Sequence, residues 1–247
     1  MEKLFAGVGA YFLFVKRTFR KPQKWSLFPK QFFHEVNSLG LGSLPIITII
    51  SIFMGAVITI QTAYNIESPF IPLYAVGVAA RDSIILEFSP TIISLILAGK
   101  VGSSIASEIG TMRVTEQIDA LEVMGVNTET FLVLPKITAA LFINPFLILI
   151  SIFQGIIGGY VFGVLSGVVT TTEFVYGVQY AFHPFYVTYA LIKTVFFAFV
   201  VTSVPAYFGY YTSGGALEVG SSSTKAVVSS SICILIINYI LTQLLLS

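Results

Sequence analysis

Residues that could carry out chemistry are scarce in this chain. It has two histidines, His34 and His183, and one cysteine, Cys233. A single cysteine excludes an intramolecular disulfide and a cysteine metal site. The sequence contains no HExxH, GxSxG or Walker A motif, and so offers no recognisable zinc, acyl-transfer or nucleotide-hydrolysing site. An enzyme is therefore the least favoured class, and we expect no cofactor or metal in this chain.

Charged residues instead concentrate in one stretch, the polar segment 98–127, AGKVGSSIASEIGTMRVTEQIDALEVMGVN. Its six charges are Lys100, Glu108, Arg113, Glu116, Asp119 and Glu122. A bilayer core would not accept them, so the segment must lie outside the membrane between two spans. We predict an amphipathic helix over 102–125 with a separate acidic face. Anionic lipid would repel that face, which leaves a protein partner or simple solvation as its explanation.

The rest of the chain is strongly apolar. Of its 247 residues, 55% are hydrophobic and only 10% are charged, and the mean hydropathy is +0.89. Soluble domains carry about a quarter charged residues. The apolar runs are continuous rather than alternating, which favours helices over barrel strands. The predicted fold class is an all-α integral membrane protein with a single domain over 1–247.

Five apolar stretches are long enough to cross a bilayer, which takes about 20 helical residues. They cover 39–64, 76–99, 131–169, 184–211 and 226–246. The second stretch is interrupted by polar and helix-breaking residues, namely Arg81, Asp82, Glu87 and Pro90. Its first half therefore lies in a protein-lined cavity or meets a thinned bilayer, and we favour the cavity.

Glycines recur at every fourth position in the third stretch. They are Gly155, Gly159, Gly163 and Gly167. Small residues at this spacing form a smooth helix face, which predicts close packing against another helix in the membrane.

Basic residues set the predicted orientation. Residues 1–36 hold seven of the thirteen Lys and Arg residues, which predicts an interfacial amphipathic helix against anionic lipid, with an ordinary juxtamembrane tail as the alternative. Cytoplasmic loops are enriched in Lys and Arg. A cytoplasmic N-terminus leaves only Arg81 among the basic residues outside, so the C-terminus is predicted to lie on the outer side.

Two blocks of the chain closely resemble the signature of the MlaE/YrbE family of permeases. For the first block, the chain supplies Ala98-Gly99-Lys100, Glu108, Gly110, Thr111-Met112, Thr115-Glu116-Gln117-Ile118-Asp119-Ala120-Leu121 and Met124-Gly125. The second block runs from Gly214-Gly215-Ala216 through Val219-Gly220 to Ala226-Val227-Val228. The resemblance extends through all five spans.

This resemblance implies the membrane subunit of an ABC transporter in the bacterial inner membrane. It would move phospholipid between the inner and outer membranes and so maintain outer-membrane lipid asymmetry. Two copies would form a homodimer, and a separate MlaF-like ATPase would bind the ATP and Mg. A periplasmic MCE protein of the MlaD kind would complete the assembly, with a STAS-domain subunit in some members. No nucleic acid is expected, and the C-terminus would be periplasmic.

The resemblance also assigns roles to residues. The helix 102–125 would be a coupling helix that contacts the ATPase through Glu108, Arg113, Glu116, Gln117, Asp119, Leu121 and Glu122. The expected lipid-binding residues are Gln61, Glu87, Pro90 and Lys193. The family's arginine before Glu87 is Leu86 in this chain, so the expected phosphate partner is missing.

Several alternatives remain open at this point. Glu87 could instead pair with Arg81, and Lys193 could extend to a membrane interface. At the level of function, the alternatives are transport of another hydrophobic substrate, in either direction, and a non-transporting scaffold that recruits a cytoplasmic protein.

Overall fold

The computed structural model describes residues 2–20, 27–66 and 71–246, with side chains from residue 7 onward. This part of the chain is helical and contains no strand. Its helices are α1 Glu2–Thr18, α2 Phe28–Asn65, α3 Tyr74–Val114, α4 Gln117–Val123, α5 Thr128–Leu165, α6 Thr171–Gln179, α7 Phe185–Tyr210 and α8 Ala216–Leu246.

Five of these helices, α2, α3, α5, α7 and α8, are long and apolar enough to cross a membrane. They confirm the predicted five-span, multi-pass helical protein. Several extend beyond the predicted spans: α2 has 38 residues and α3 has 41, or roughly 57 and 62 Å, against a hydrocarbon core of about 30 Å. The interval 212–225 between the fourth and fifth predicted spans is not all loop, because α8 already begins at Ala216.

The prediction of one separate helix over 102–125 is also wrong. The second span continues as α3 to Val114, and the short α4 follows after a break at Thr115 and Glu116. Polar residues alone do not end a helix. Ile105 and Ile109 are buried, so one face of α3 remains packed beyond Lys100 and Glu108. The chain turns at Glu116, whose φ of 60° lies in the left-handed region. The side chains of α4 therefore do not continue the faces of α3.

The chain divides into two compact units, and each has its own packing. The first comprises residues 1–42, 94–143 and 196–242. There, α1 is held by the Tyr11 hydroxyl, 2.6 Å from Ser203 Oγ. Because Ser203 already donates its hydrogen to the Phe199 carbonyl, Tyr11 is the donor, and burial raises the pKa of its phenol. Whether residues 1–36 lie in the membrane interface stays a prediction, and residues 21–26 of that segment lie outside the described residues.

The second unit comprises residues 43–93, 144–195 and 243–247, and close backbone contact holds it together. A Cβ at Gly55 would collide with the Gly155 carbonyl, and one at Gly158 would collide with the Ile52 carbonyl. Gly159 and Gly163 both face Thr59. These contacts bring α2 and α5 together at small residues.

Gly167, the last glycine of the predicted packing face, lies in a turn. Gly167 lies beyond the end of α5, has a φ of 72°, and has open space where a Cβ would project. It is a turn residue, because φ in this range favours glycine at a helix C-terminus. The prediction that it packs against a helix is wrong.

Three serines add hydrogen bonds across the same unit. Ser51 Oγ donates to Ser151 Oγ at 2.9 Å, and Ser151 donates to Ser89 Oγ at 3.1 Å. All three are buried. They join α2, α5 and α3, and hydrogen bonds of this kind contribute to helix association where water is absent.

We predict that Gly55→Ala destabilises the protein, because the new Cβ meets a backbone carbonyl that cannot rotate away. Overpacking typically costs about 1–3 kcal/mol, which lowers the Tm in a detergent unfolding assay. Gly99→Ala is the matched control, since a Cβ there meets nothing within 4 Å. Equal losses in the two variants would contradict the close α2–α5 contact.

Candidate functional site

The polar segment ends in α4, which is fixed to the first unit on one side. Ile118 of α4 is fully buried. Across the break, Arg113 Nη1 of α3 lies 2.7 Å from Asp119 Oδ1 of α4. The guanidinium also lies 5.7 Å from the centre of the Tyr210 ring. An apolar anchor and an ion pair therefore hold α4 at one angle to the end of α3.

A second connection joins α4 to two further spans. Tyr210, the last residue of α7, donates its hydroxyl hydrogen to Glu122 Oε1 at 2.9 Å. Thr128, the first residue of α5, is 3.2 Å from the same carboxylate oxygen and 2.7 Å from the Tyr210 hydroxyl. Glu122 is thus shared by the ends of α4, α5 and α7.

A third connection lies about two helical turns before the break. Lys136 Nζ of α5 lies 2.8 Å from Glu108 Oε2 of α3 and 2.7 Å from Glu35 Oε1 of α2. Its side chain is only 4% exposed. One buried cation therefore ties together three spanning helices next to the polar segment. Glu35 and Glu108 supply its counter-charge, and the Glu108 side chain remains 52% exposed.

The opposite side of α4 is unprotected. Val123 and Met124 are 89% and 69% exposed, and Glu116 and Gln117 are exposed beside them. Asp119 keeps 52% of its side chain exposed although it pairs with Arg113. Leu121 is half-buried, and with Met124 and Phe131 it lines a cavity of about 240 Å³. The tip of α4 is thus an apolar surface with a charged rim, a composition typical of protein interfaces.

The structure divides the predicted coupling residues into two groups. Glu116, Gln117 and Leu121 lie at or beside the exposed surface, whereas the side chains of Glu108, Arg113, Asp119 and Glu122 form the internal connections described above. The sequence did not indicate Lys136, Tyr210 or Thr128 as their partners. The one available indication was the position of Lys136 inside the predicted span 131–169, since a cation within a span normally has a partner.

The second charged cluster lies within the spans of the second unit. Lys193 Nζ of α7 is 2.6 Å from Glu87 Oε1 of α3, and it also donates to the Leu86 carbonyl at 3.3 Å. The Lys193 side chain is fully buried, whereas that of Glu87 is 42% exposed. Thr91 donates to the other Glu87 oxygen at 3.1 Å. The interpretation that Lys193 extends to a membrane interface is therefore wrong.

The alternative that Glu87 pairs with Arg81 is wrong as well, because Arg81 pairs with its neighbour Asp82. Pro90 is buried in a stretch of wide, π-helical turns over Ile84–Ile92, a geometry that accommodates a residue without an N–H. Gln61 lies on an exposed part of α2 and does not line the hollow that Glu87 and Thr91 border.

The hollow next to Glu87 is small. Glu87, Phe88, Thr91 and Ile92 line about 100 Å³. It is polar at one point and apolar elsewhere. Within the described residues, no group of three or more His, Cys, Asp or Glu side chains could hold a metal ion.

Comparisons with known proteins agree on one family. The family model described as permease MlaE matches residues 32–244. The chain is 36% identical to a probable ABC transporter permease protein of Rickettsia bellii, over 98% of this chain and 93% of the relative. It is also 36% identical to such a protein of Synechocystis, over 85% and 80%. It is 30% identical to the chloroplastic protein trigalactosyldiacylglycerol 1 of Arabidopsis thaliana, over 85% of this chain and 59% of that protein.

We predict that Glu87→Gln destabilises the protein more than Lys193→Met does. The first variant leaves a fully buried ammonium without its counter-charge, and breaking a buried pair costs about 3–5 kcal/mol. The second leaves a carboxylate that is partly exposed and retains Thr91.

The measurement is thermal unfolding of each variant in nanodiscs of one lipid composition. The double variant E87Q/K193M should recover most of the loss, since neither charge remains. A double variant no more stable than E87Q would contradict the pairing.

Proposed function

Because this chain belongs to the MlaE family of ABC transporter permeases, we propose that it is the subunit that moves phospholipid between the inner and outer membranes, driven through α4 by a separate ATPase. An ABC transporter permease implies an ATPase partner. The proposal adds a homodimer in the bacterial inner membrane, a periplasmic MCE protein, a STAS-domain subunit in some assemblies, and a role in outer-membrane lipid asymmetry. It also places the N-terminus in the cytoplasm and the C-terminus in the periplasm.

The observation that carries the proposal is the contrast between the two sides of α4. One side is bound to three spanning helices by Arg113–Asp119, by Glu122 with Tyr210 and Thr128, and by buried Ile118. The other side exposes Val123 and Met124. A partner that pushes on this tip moves groups that are bonded to α3, α5 and α7. A solvated connecting loop would need neither the apolar tip nor these connections.

The proposed cargo follows from the second cluster. Glu87 is a partly exposed carboxylate within a spanning helix, beside an apolar hollow. A polar group at this depth suits a molecule with a polar head and an apolar body, and intramembrane ionisable groups commonly mark such pathways. The name of the Arabidopsis relative refers to a diacylglycerol lipid, which supports a lipid cargo for this chain. The chain itself would hydrolyse no ATP, because the ATP and Mg would bind to the partner.

The first test replaces the exposed tip. The double variant V123D/M124D should lose the ATPase during purification of the complex while the permease remains folded, because two carboxylates replace the apolar contact. Leu165→Asp is the matched control: Leu165 is 76% exposed but lies at the far end of α5. Retention of the ATPase by V123D/M124D would contradict the role proposed for α4.

The second test separates binding from transmission. Tyr210→Phe should leave the ATPase bound but reduce ATP-driven movement of labelled phospholipid in proteoliposomes, by roughly tenfold at most, since it removes the hydroxyl shared with Glu122 and Thr128.

Tyr211→Phe is the control, because the Tyr211 hydroxyl makes no hydrogen bond among the described residues. Loss of ATP-driven lipid movement in both variants would assign the effect to general instability. Absence of any ATP-driven lipid movement by the unaltered complex would favour a non-transporting scaffold.

A further inference from the structure

A second cavity in the second unit lies away from the Glu87 cluster. It has a volume of about 450 Å³ and lies where α3 and α7 begin and α6 ends. Ligand sites commonly occupy about 300–1,000 Å³. Its lining includes three tyrosines, a histidine and a carboxylate, namely Tyr74, Tyr180, Tyr186, His183 and Asp82. The cavity lies at the start of two predicted spans, and we expect it to lie at headgroup depth, where tyrosines are enriched.

Arg81 builds the wall of this cavity. It donates through Nη1 to the carbonyls of Val178 and Tyr180 at 2.9 and 2.8 Å, and its side chain is only 2% exposed. These carbonyls lie at the C-terminal end of α6, the negative end of the helix dipole. The next residue, Ala181, has a φ of 46°, a conformation that is strained for alanine. Arg81 thus holds in place a strained turn that carries Tyr180 and His183.

The charges around the cavity leave an acceptor facing it. Asp82 Oδ1 receives both Nε and Nη2 of Arg81 at 2.8 Å. Among the described residues, no group donates to the other oxygen of Asp82, and this side chain is 29% exposed. The positive charge of Arg81 is balanced by Asp82 and by the end of α6. Its guanidinium is buried and is directed to Asp82 and to the carbonyls of Val178 and Tyr180, which disfavours a phosphate at this position.

Aromatic faces surround that acceptor. The rings of Tyr74 and Tyr180 lie 5.1 Å apart at 52°, and those of His183 and Tyr186 lie 5.5 Å apart at 55°. These side chains line the cavity, and the face of an aromatic ring attracts an organic cation. A metal ion would find too few ligands, since Asp82 and His183 are the only carboxylate and imidazole in the lining.

We propose that this cavity binds the ammonium group of a phosphatidylethanolamine headgroup, with the second oxygen of Asp82 as hydrogen-bond acceptor and Tyr74, Tyr180 and Tyr186 as the aromatic wall. The inference rests on the proposed lipid-handling function, and it adds a preference for an amine headgroup over an anionic one. The glycerol and acyl chains extend into the bilayer, and the phosphate stays at the polar surface.

The test is competition between two lipids on the full chain. Native mass spectrometry with equimolar palmitoyl-oleoyl phosphatidylethanolamine and phosphatidylglycerol should show a preference for the ethanolamine lipid. Exposed cation–π contacts contribute about 0.5–1 kcal/mol, so Tyr180→Leu should reduce that preference by about two- to five-fold. Tyr180→Phe keeps the ring and should keep the preference. Tyr239→Leu removes an exposed tyrosine elsewhere and should change nothing.

Asp82→Asn provides a second variant. Because it removes the counter-charge of buried Arg81, it is measured at a temperature at which thermal unfolding shows the variant folded. There it should reduce the preference without reducing binding of phosphatidylglycerol. Equal binding of the two lipids by the unaltered chain would overturn this inference, as would an equal loss in Tyr180→Leu and Tyr180→Phe. Either result leaves the proposed function intact if the ATPase still binds and lipid still moves. A chain that binds neither lipid would contradict both.

Discussion

A charge held away from water must find its partner inside the protein, and this constraint organises the chain. Lys136 and Lys193 are buried, and each is neutralised by glutamates from other helices. Removal of one partner would leave an unpaired charge in a medium of low dielectric, which costs far more than an exposed pair contributes. The helices that supply these charges are therefore fixed in register with one another. Lys136 fixes helices near the polar segment, and Lys193 fixes α7 to α3 at Glu87.

Several other polar groups are paired within the protein in the same way, without a buried net charge. Hydrogen bonds join Ser51, Ser151 and Ser89. Arg81 donates to a carbonyl at the end of α6 and pairs with Asp82. Arg81 and Asp82, which made the second span look poorly suited to hydrocarbon, form part of a local structure at the start of α3. Protein groups bury Arg81, whereas 29% of the Asp82 side chain is exposed.

Composition and apolar run length were sufficient to predict five spans, because the bilayer imposes a minimum length on each. They could not predict the ends of α3 or α8, since a helix continues through polar residues when one face remains packed, as Ile105 and Ile109 do. The sequence has no glycine or proline at Glu116 that would have predicted the break there. The four-residue spacing predicted that Gly155, Gly159 and Gly163 pack against neighbouring helices. It did not predict the role of Gly167, which lies just past the end of α5. Pairings such as Glu87 with Lys193 join residues 106 positions apart, and a single sequence does not encode such proximity.

The contact between Gly55 and the Gly155 carbonyl has a consequence for how such sequences diverge. Most packed positions can change together, one side chain shrinking as its neighbour grows. A carbonyl is common to every residue, so no replacement at 155 makes room for a larger residue at 55. We therefore expect glycine at 55 to persist among relatives while the side chains around it change together.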